Sequence, residues 1–396
     1  MARDGNAKGM KETKFKDTEL GKIPEEWEVC NLGSIGVPLM CKRIMKWQTN
    51  ETAGIPFYKI GTFGKQADAF IAPDIWRYMI THFNYPRKGD ILISAAGTIG
   101  RTVVFDGQPS YFQDSNIVWI DNDEEKVLNP YLEYAYTKIA WSTDASTISR
   151  LYNNNLKSAL ILFPHDKAEQ QRIASALSDA DALVAELDAL IEKKRAIMAG
   201  TMQELLTGKR RLQGFSEPWV KKTLEEICLR HDNLRIPVKA SDRKAGYTPY
   251  YGANGIQDYV EGYTHDGESI LIAEDGANDL DNYPVNFAVG KIWVNNHAHV
   301  VKAKEEFIYS YFLYLALKQC NFNDVIVGSS RAKLNASSLM QINVKYPSSL
   351  AEQRAIASIL SDMDAEIAEL EAKRDKYKEV RQGMMQQLLT GKIRLI

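Results

Sequence analysis

Apolar positions fall into two long stretches with alternating four- and three-residue spacing. In the first, Ile173, Leu177, Ala180, Val184, Leu187, Ile191, Met198 and Leu205 recur at this interval, and Lys194 and Thr201 interrupt it. The second runs through Ile356, Leu360, Met363, Ile367, Leu370, Tyr377, Met384 and Leu388. A seam of this period predicts a long helix with a coiled-coil face, over residues 166–208 and again over 349–391. Pro164 and Pro347 precede the two stretches, and Gly208 and Gly391 supply the residue type that commonly ends a helix.

The two stretches are copies of one another. The 49 positions from Pro164 to Leu212 align without a gap onto Pro347 to Leu395, and 27 of them are identical. The shared residues include Ala168-Glu169-Gln170 with Ala351-Glu352-Gln353, and both copies close on Leu-Leu-Thr-Gly-Lys. Each helix could be a plain amphipathic helix on its own domain, but charge argues for mutual pairing. Asp179 to Asp188 holds four acids and no base, and Asp362 to Glu371 holds five and none. The basic residues come later, at Lys193, Lys194 and Arg195 and from Lys373 to Arg381. Antiparallel packing sets acidic half against basic half, whereas parallel packing sets like against like. The expected interface is Ile173, Leu177, Val184, Leu187 and Ile191 against Ile356, Leu360, Ile367, Leu370 and Tyr377.

Segments 13–165 and 209–348 share little sequence, yet their edges correspond. Trp27, Leu32 and Ile35 match Trp219, Leu224 and Ile227 at one offset, and Leu151 and Leu156 match Leu334 and Leu339 at the helix offset. Within them, short β-rich runs at Ile55–Ile60, Asp90–Ser94, Asn116–Ile120, Ser269–Ala273 and Lys291–Val294 predict strands, punctuated by glycine turns. Short helices are predicted at Pro130–Ile139 and Ile308–Lys318. The expected fold is α+β: two mixed α/β domains separated by two long repeated helices that form an antiparallel coiled coil, with pseudo-two-fold symmetry. A helix from Ile173 to Leu205 would be on the order of 50 Å long, against about 34 Å for a turn of B-DNA.

Composition narrows the class. The chain has 396 residues, of which 45% are apolar and 25% charged, the balance of a folded protein. The polar opening Met1 to Glu12 lacks the apolar core of a secretory signal, and no apolar run reaches the roughly 18 residues of a membrane span, so a cytoplasmic location is expected. Cys30, Cys41, Cys228 and Cys320 are widely spaced and read as free thiols. The net charge of −2 speaks against a nucleic-acid partner. Without the two helical stretches, however, the remainder holds 38 bases against 35 acids.

The layout of domain, helix, different domain and second copy of the helix resembles the specificity subunits of Type I restriction-modification enzymes over essentially the whole chain. Several segments are similar to that family's phrasing: Lys22 to Val29, Lys88 to Arg101, Thr248 to Gly255, Asn295 to Val300, Leu350 to Arg354 and the Leu-Leu-Thr-Gly-Lys ends. One departure is "STISRLYNNNL" at the end of the first domain, where the second has "GSSRAKLN". The resemblance implies two target-recognition domains, each reading one half of an asymmetric bipartite site in double-stranded DNA. It implies that the helices set the spacer and help dock two modification (methyltransferase) subunits, which restriction (translocase/nuclease) subunits then join. It also implies that the chain binds no cofactor directly, since S-adenosylmethionine, ATP and Mg belong to those partners.

Groove readout uses Arg, Lys, Asn, Gln and hydroxyl groups, and phosphate contacts use amides and cations. On that basis the candidates in the first domain are Lys59, Lys65, Thr98, Arg101, Gln113 and Asn116. In the second they are Tyr250, Asn254, Asn296, His297, Arg331 and Lys333. For any one of them the plain alternative is a solvated loop residue or a strand cap.

Motifs that resemble catalytic ones are weaker. Asn129-Pro130-Tyr131 lacks the second proline of an adenine-methylating site, and no glycine-rich loop follows a predicted strand. Glu371-x-Lys373 falls on the second helix and Glu124-x-Lys126 in an acidic loop. His297 and His299 would share a strand face, but no cysteine near in sequence completes a zinc site. No catalytic residue and no metal site is expected. Two other functions compete: a self-contained methyltransferase or nuclease with a diverged site, and a coiled-coil scaffold that never touches DNA. If the helices act as a ruler, inserting one turn (about four residues) into both should lengthen the spacer tolerated between half-sites and leave each half unchanged. Methylation mapping with the lengthened chain checks this, and an unaltered spacer refutes it.

Overall fold

The computed structural model describes residues 14–141, 150–327 and 333–396. The long helices run Lys167–Leu205 and Leu350–Leu388. The chain forms two compact units that cut across the serial order of domain and helix. One comprises Met1–Glu186 with Arg374–Ile396, and the other Leu187–Lys373. Each unit therefore holds one globular domain, part of the first helix and part of the second.

Inside each unit the helical parts run antiparallel. In the first, Ile173 and Leu177 share an apolar cluster with Leu388 and Leu389, while Asp181 is ion-paired with Arg381. Residue number falls on one helix as it rises on the other. In the second, Met202 and Leu205 cluster with Ile356 and Leu360, and Lys194 and Arg195 pair with Glu366 and Glu371. Lys194, a break in the apolar seam, thus takes an acidic partner. Leu187, Ile191 and Ile367 are buried, whereas Val184, Leu370 and Tyr377 are half-buried. The seam does more than pair helices, because Ile173 and Ile356 also pack into the domain cores.

The two domains repeat one topology despite unlike sequences. In the first unit, strands Gly36–Leu39, Ile117–Asn122, Ile91–Ser94 and Thr102–Val104 lie side by side in that order, all antiparallel. In the second, Cys228–Arg230, Ala298–Ala303, Ser269–Ala273 and Val285–Ala288 do the same. A second sheet in each contains one parallel pair: Ile55–Tyr58 with Tyr111–Phe112, and Ala245–Gly252 with Trp293–Val294. The strand expected over Lys291–Val294 is shortened to its last two residues, and the helix expected over Pro130–Ile139 is Asn129–Tyr136. The ends of each domain pair as well, Trp27–Asn31 with Leu160–Pro164 and Trp219–Thr223 with Asn343–Pro347.

The repeated motifs sit at these closures. Glu169 is 1% exposed and receives two hydrogen bonds from Arg394, at 2.5 and 2.7 Å. Its counterpart Glu352 receives two from Arg211, both 2.7 Å. Gln170 accepts the N–H of Leu128, ahead of helix Asn129–Tyr136, and donates to the carbonyls of Lys126 and Pro164. Gln353 does the same for Tyr309, ahead of helix Ser310–Lys318, and for Phe307 and Pro347. Gly208 and Gly391 take φ of +73° and +69°, where a side chain would be strained. A Cβ on Gly391 would lie 2.5 Å from Pro24 and 3.3 Å from Trp27. Stripping a buried carboxylate of its partner costs on the order of 3 kcal/mol. Arg394→Ala should therefore lower unfolding free energy by about that amount, and Glu169→Gln with Arg394→Met together by less. Denaturant titration of the single and double variants checks this.

Candidate nucleic-acid interface

Parallel strands end at the same edge of a sheet, so the residues just beyond them converge. In the first domain Lys59 follows one strand of the parallel pair and Gln113 the other. The Gln113 N–H bonds the Tyr58 carbonyl at 2.9 Å, and its side-chain oxygen accepts the N–H of Ile60. Lys59, Gln113 and Asn116 line one cleft of about 550 Å³ together with Arg43, Lys46 and Arg150. Arg150 donates to the side chain of Asn116 and to the carbonyl of Ser115. Ser115 takes a φ of 54°, in the left-handed region that non-glycine residues seldom occupy. Carboxylates temper the cations: Lys59 pairs with Asp68 and Arg43 with Asp114.

The other candidates of this domain lie elsewhere. Lys65 is exposed beside a different hollow, next to Val103 and Val104. Thr98 is exposed, and its carbonyl accepts the Ser94 hydroxyl. Arg101 does not reach outward. Its guanidinium lies 5.2 Å from the Phe63 ring centre, and its Nε is buried.

The second domain builds its site at the same station. The Asn295 N–H bonds the Tyr251 carbonyl at 3.1 Å, the counterpart of Gln113 on Tyr58. Asn254 follows one parallel strand, and Asn296 and His297 follow the other. Asn254 holds a neighbouring loop, donating to the Gly276 carbonyl and accepting the Asn278 N–H. Asn296 is exposed. His297 pairs with Asp275 at 2.5 Å, and Lys333 with Glu274 at 3.1 Å. Tyr250 is not at this surface. It is 1% exposed, and its hydroxyl is engaged by the backbone of Val238. Arg331 lies outside the described residues.

His297 and His299 do not share a face, because the strand begins at Ala298. His299 points into the core between Asp232 and the Leu334 carbonyl. Burial pushes the Asp232 carboxyl up, but bonds from His299 and the Val300 N–H, with the charge of Arg235, outweigh it and hold it below the usual range. Glu274 is likewise raised by burial and lowered further by Arg235 and Lys333. Among the described residues no group of His, Cys, Asp or Glu is arranged to hold a metal ion. The four cysteines are free, and burial pushes the Cys41 and Cys228 thiols up to about 12.

Three residues that line the first cleft, Arg43, Lys46 and Arg150, were missing from the sequence candidates. The first two belong to a basic run, Lys42-Arg43-Ile44-Met45-Lys46, that no acid interrupts; that run was the available signal. Arg150 carries no such mark, and it reaches the cleft through the bridge between Ala96 and Arg150.

Two regions, residues 24–194 and 216–379, match the family described as the Type I restriction modification DNA specificity domain. The chain belongs to this family. A Haemophilus influenzae protein described as a type I restriction enzyme specificity subunit is 52% identical over 174 residues, 44% of this chain and 45% of that protein. The match thus spans less than half the length of that relative. A Methanocaldococcus jannaschii protein described as the MjaX specificity subunit is 24% identical over 432 residues, covering 97% of this chain and 98% of that one. In fold, the chain is similar to a Type I restriction-modification S subunit from M. genitalium. The TM-score is 0.65 at 20% identity, over 91% of this chain and 96% of the other. Each matched region takes in one of the sites above and much of one long helix. No helix of the described residues is long and apolar enough to cross a membrane.

Because Asp232 and Glu274 titrate lower in the folded domain than in the unfolded chain, their stabilisation is complete above about pH 5 and is lost as pH falls through their depressed values. Thermal unfolding followed against pH should show the second specificity domain weakening below that point. Asp232→Asn should lower the melting temperature at neutral pH and flatten its acid dependence; an unchanged slope would contradict the assignment.

Proposed function

We propose that this specificity-family chain reads an asymmetric bipartite site in duplex DNA, one half per domain. It would direct two modification subunits there and, through them, restriction subunits. One observation carries the reading: two domains of one topology place unlike polar sets at the same station. Lys59, Gln113 and Asn116 with Arg150 stand in one, and Asn254, Asn296 and His297 in the other. Common scaffolds with different groups at the readout edge suit two different half-sites. The sequences of the relatives, described as specificity subunits, support the same role.

In this reading the chain has no catalytic site. S-adenosylmethionine and adenine methylation would come from the modification subunits, and ATP and Mg would serve the restriction subunits. The chain's own residues would bind, orient and discriminate. Sequencing methylated bases in a host with and without the chain should reveal one split motif that depends on it. Lys59→Ala should relax one half of that motif and Asn296→Ala the other, each by about 1–3 kcal/mol of discrimination. Methylation or cleavage by the purified chain alone, given DNA and S-adenosylmethionine or Mg, would instead favour a self-contained enzyme.

A further inference from the structure

We infer that each domain carries an aromatic wedge for the duplex, Trp47 in the first and Tyr247 in the second. This deepens the proposed function and rests on it. Trp47 is 80% exposed and Tyr247 99%. Single exposed aromatics are ordinary. Trp47 lies on the turn ahead of strand Ile55–Tyr58, which enters the parallel pair of the first domain, and Tyr247 lies within strand Ala245–Gly252, which enters that of the second.

Each is held out by its own local device. Trp47 sits on a single tight turn, Lys46–Gln48. There the Gln48 side chain accepts the Met45 N–H at 2.9 Å and the Thr49 hydroxyl donates to the Lys46 carbonyl at 2.8 Å. The run leading to the turn is anchored by buried Cys41 and Ile44 and by the Tyr111 hydroxyl on the Lys42 carbonyl. Tyr247 lies in a β-bulge, since Ala245 and Thr248 both register with Val260. A bulge re-aims a side chain. This one needs Gly246, whose Cβ would come within 2.4 Å of the Val260 backbone. Two different constructions therefore deliver the same result, an aromatic ring in water on a fixed support.

Charge identifies the partner. Residues 36–50 contain Lys42, Arg43 and Lys46 and no acid, and Arg43 and Lys46 line the first cleft. Residues 236–247 contain Lys239 and Lys244 against Asp242; Arg243, in the same run, is turned inward to Asp258 and the Tyr250 ring. Cations flanking a projecting ring match a polyanion whose bases offer apolar faces, with the cations on phosphates and the ring against a base step. Exposed apolar side chains precede each ring in the sequence, Met40 and Met45 before Trp47 and Leu234 and Ile236 before Tyr247.

The test uses the full chain assembled with its modification subunits. The probe is a fluorescent duplex carrying the motif that methylation sequencing assigns. Trp47→Ala and Tyr247→Ala should each weaken binding about tenfold or more and leave the salt dependence of affinity unchanged, because no charge is removed. Trp47→Phe and Tyr247→Phe should stay close to wild type. Lys46→Ala, by contrast, should reduce the salt slope by about one. Alanine variants that bind like wild type, or phenylalanine variants as weak as the alanines, overturn the wedge while the DNA-reading role stands. Alanine variants that fail to assemble with the modification subunits but still bind DNA normally reassign the rings to protein docking and also overturn it. A wild-type assembly that shows no preference for the motif takes down both readings.

Discussion

A buried carboxylate that must find a guanidinium holds each half of this protein closed. Glu169 and Glu352 stand at matching places near the starts of the two long helices, and water reaches neither. Each is neutralised by an arginine just beyond the end of the other copy's helix, Arg394 for Glu169 and Arg211 for Glu352. An ionised carboxylate taken from water without such a partner costs several kcal/mol. The start of one repeat is therefore tied to the end of the other in both units. The adjacent glutamines extend the constraint into the domains by satisfying the backbone ahead of a short helix in each. This requirement closes each domain and reinforces the antiparallel direction that the pairs of Asp181, Lys194 and Arg195 also enforce.

The tie also accounts for the strongest string in the chain. In Leu-Leu-Thr-Gly-Lys the leucines are buried, the threonine hydroxyl returns to a carbonyl of the preceding turn, and the glycine takes a left-handed conformation. The chain can then turn so that the following arginine meets its carboxylate. A tryptophan packs at the same corner in both units, Trp27 with Arg394 and Trp219 with Arg211 lying over the rings at about 6 Å. The domains between these corners are free to differ in side chain, since the glutamines of the closure hold only backbone groups ahead of one short helix in each. That freedom suits a scaffold whose readout edge varies while its frame stays constant.

Much of the fold was legible in advance because periodicity and repetition are local signals. The helices, the seam and the antiparallel direction follow from spacing and charge, and the strand Ser269–Ala273 is found where its apolar run lies. The division into compact units was not legible that way. Serial order suggests domain, helix, domain, helix, whereas antiparallel packing gives each unit part of both helices. The candidate site was legible by residue type and only partly by position. Lys59, Gln113 and Asn116 converge because two parallel strands end together. Tyr250 and Arg101, equally plausible by type, are turned inward to Val238 and Phe63.

The amino-acid sequence by itself determined that one unit of helix occurs twice, how the copies run, and which family the chain resembles, because each is written in spacing or in identity between copies. Tertiary structure alone decided which polar side chains face the same cleft, that His297 and His299 part company, and that Trp47 and Tyr247 stand in water. The physical reason is that strand register, a bulge or a tight turn sets the direction of a side chain, and these depend on partners far away in the chain. Residue type says what a group can bond; only the folded backbone says what it can reach.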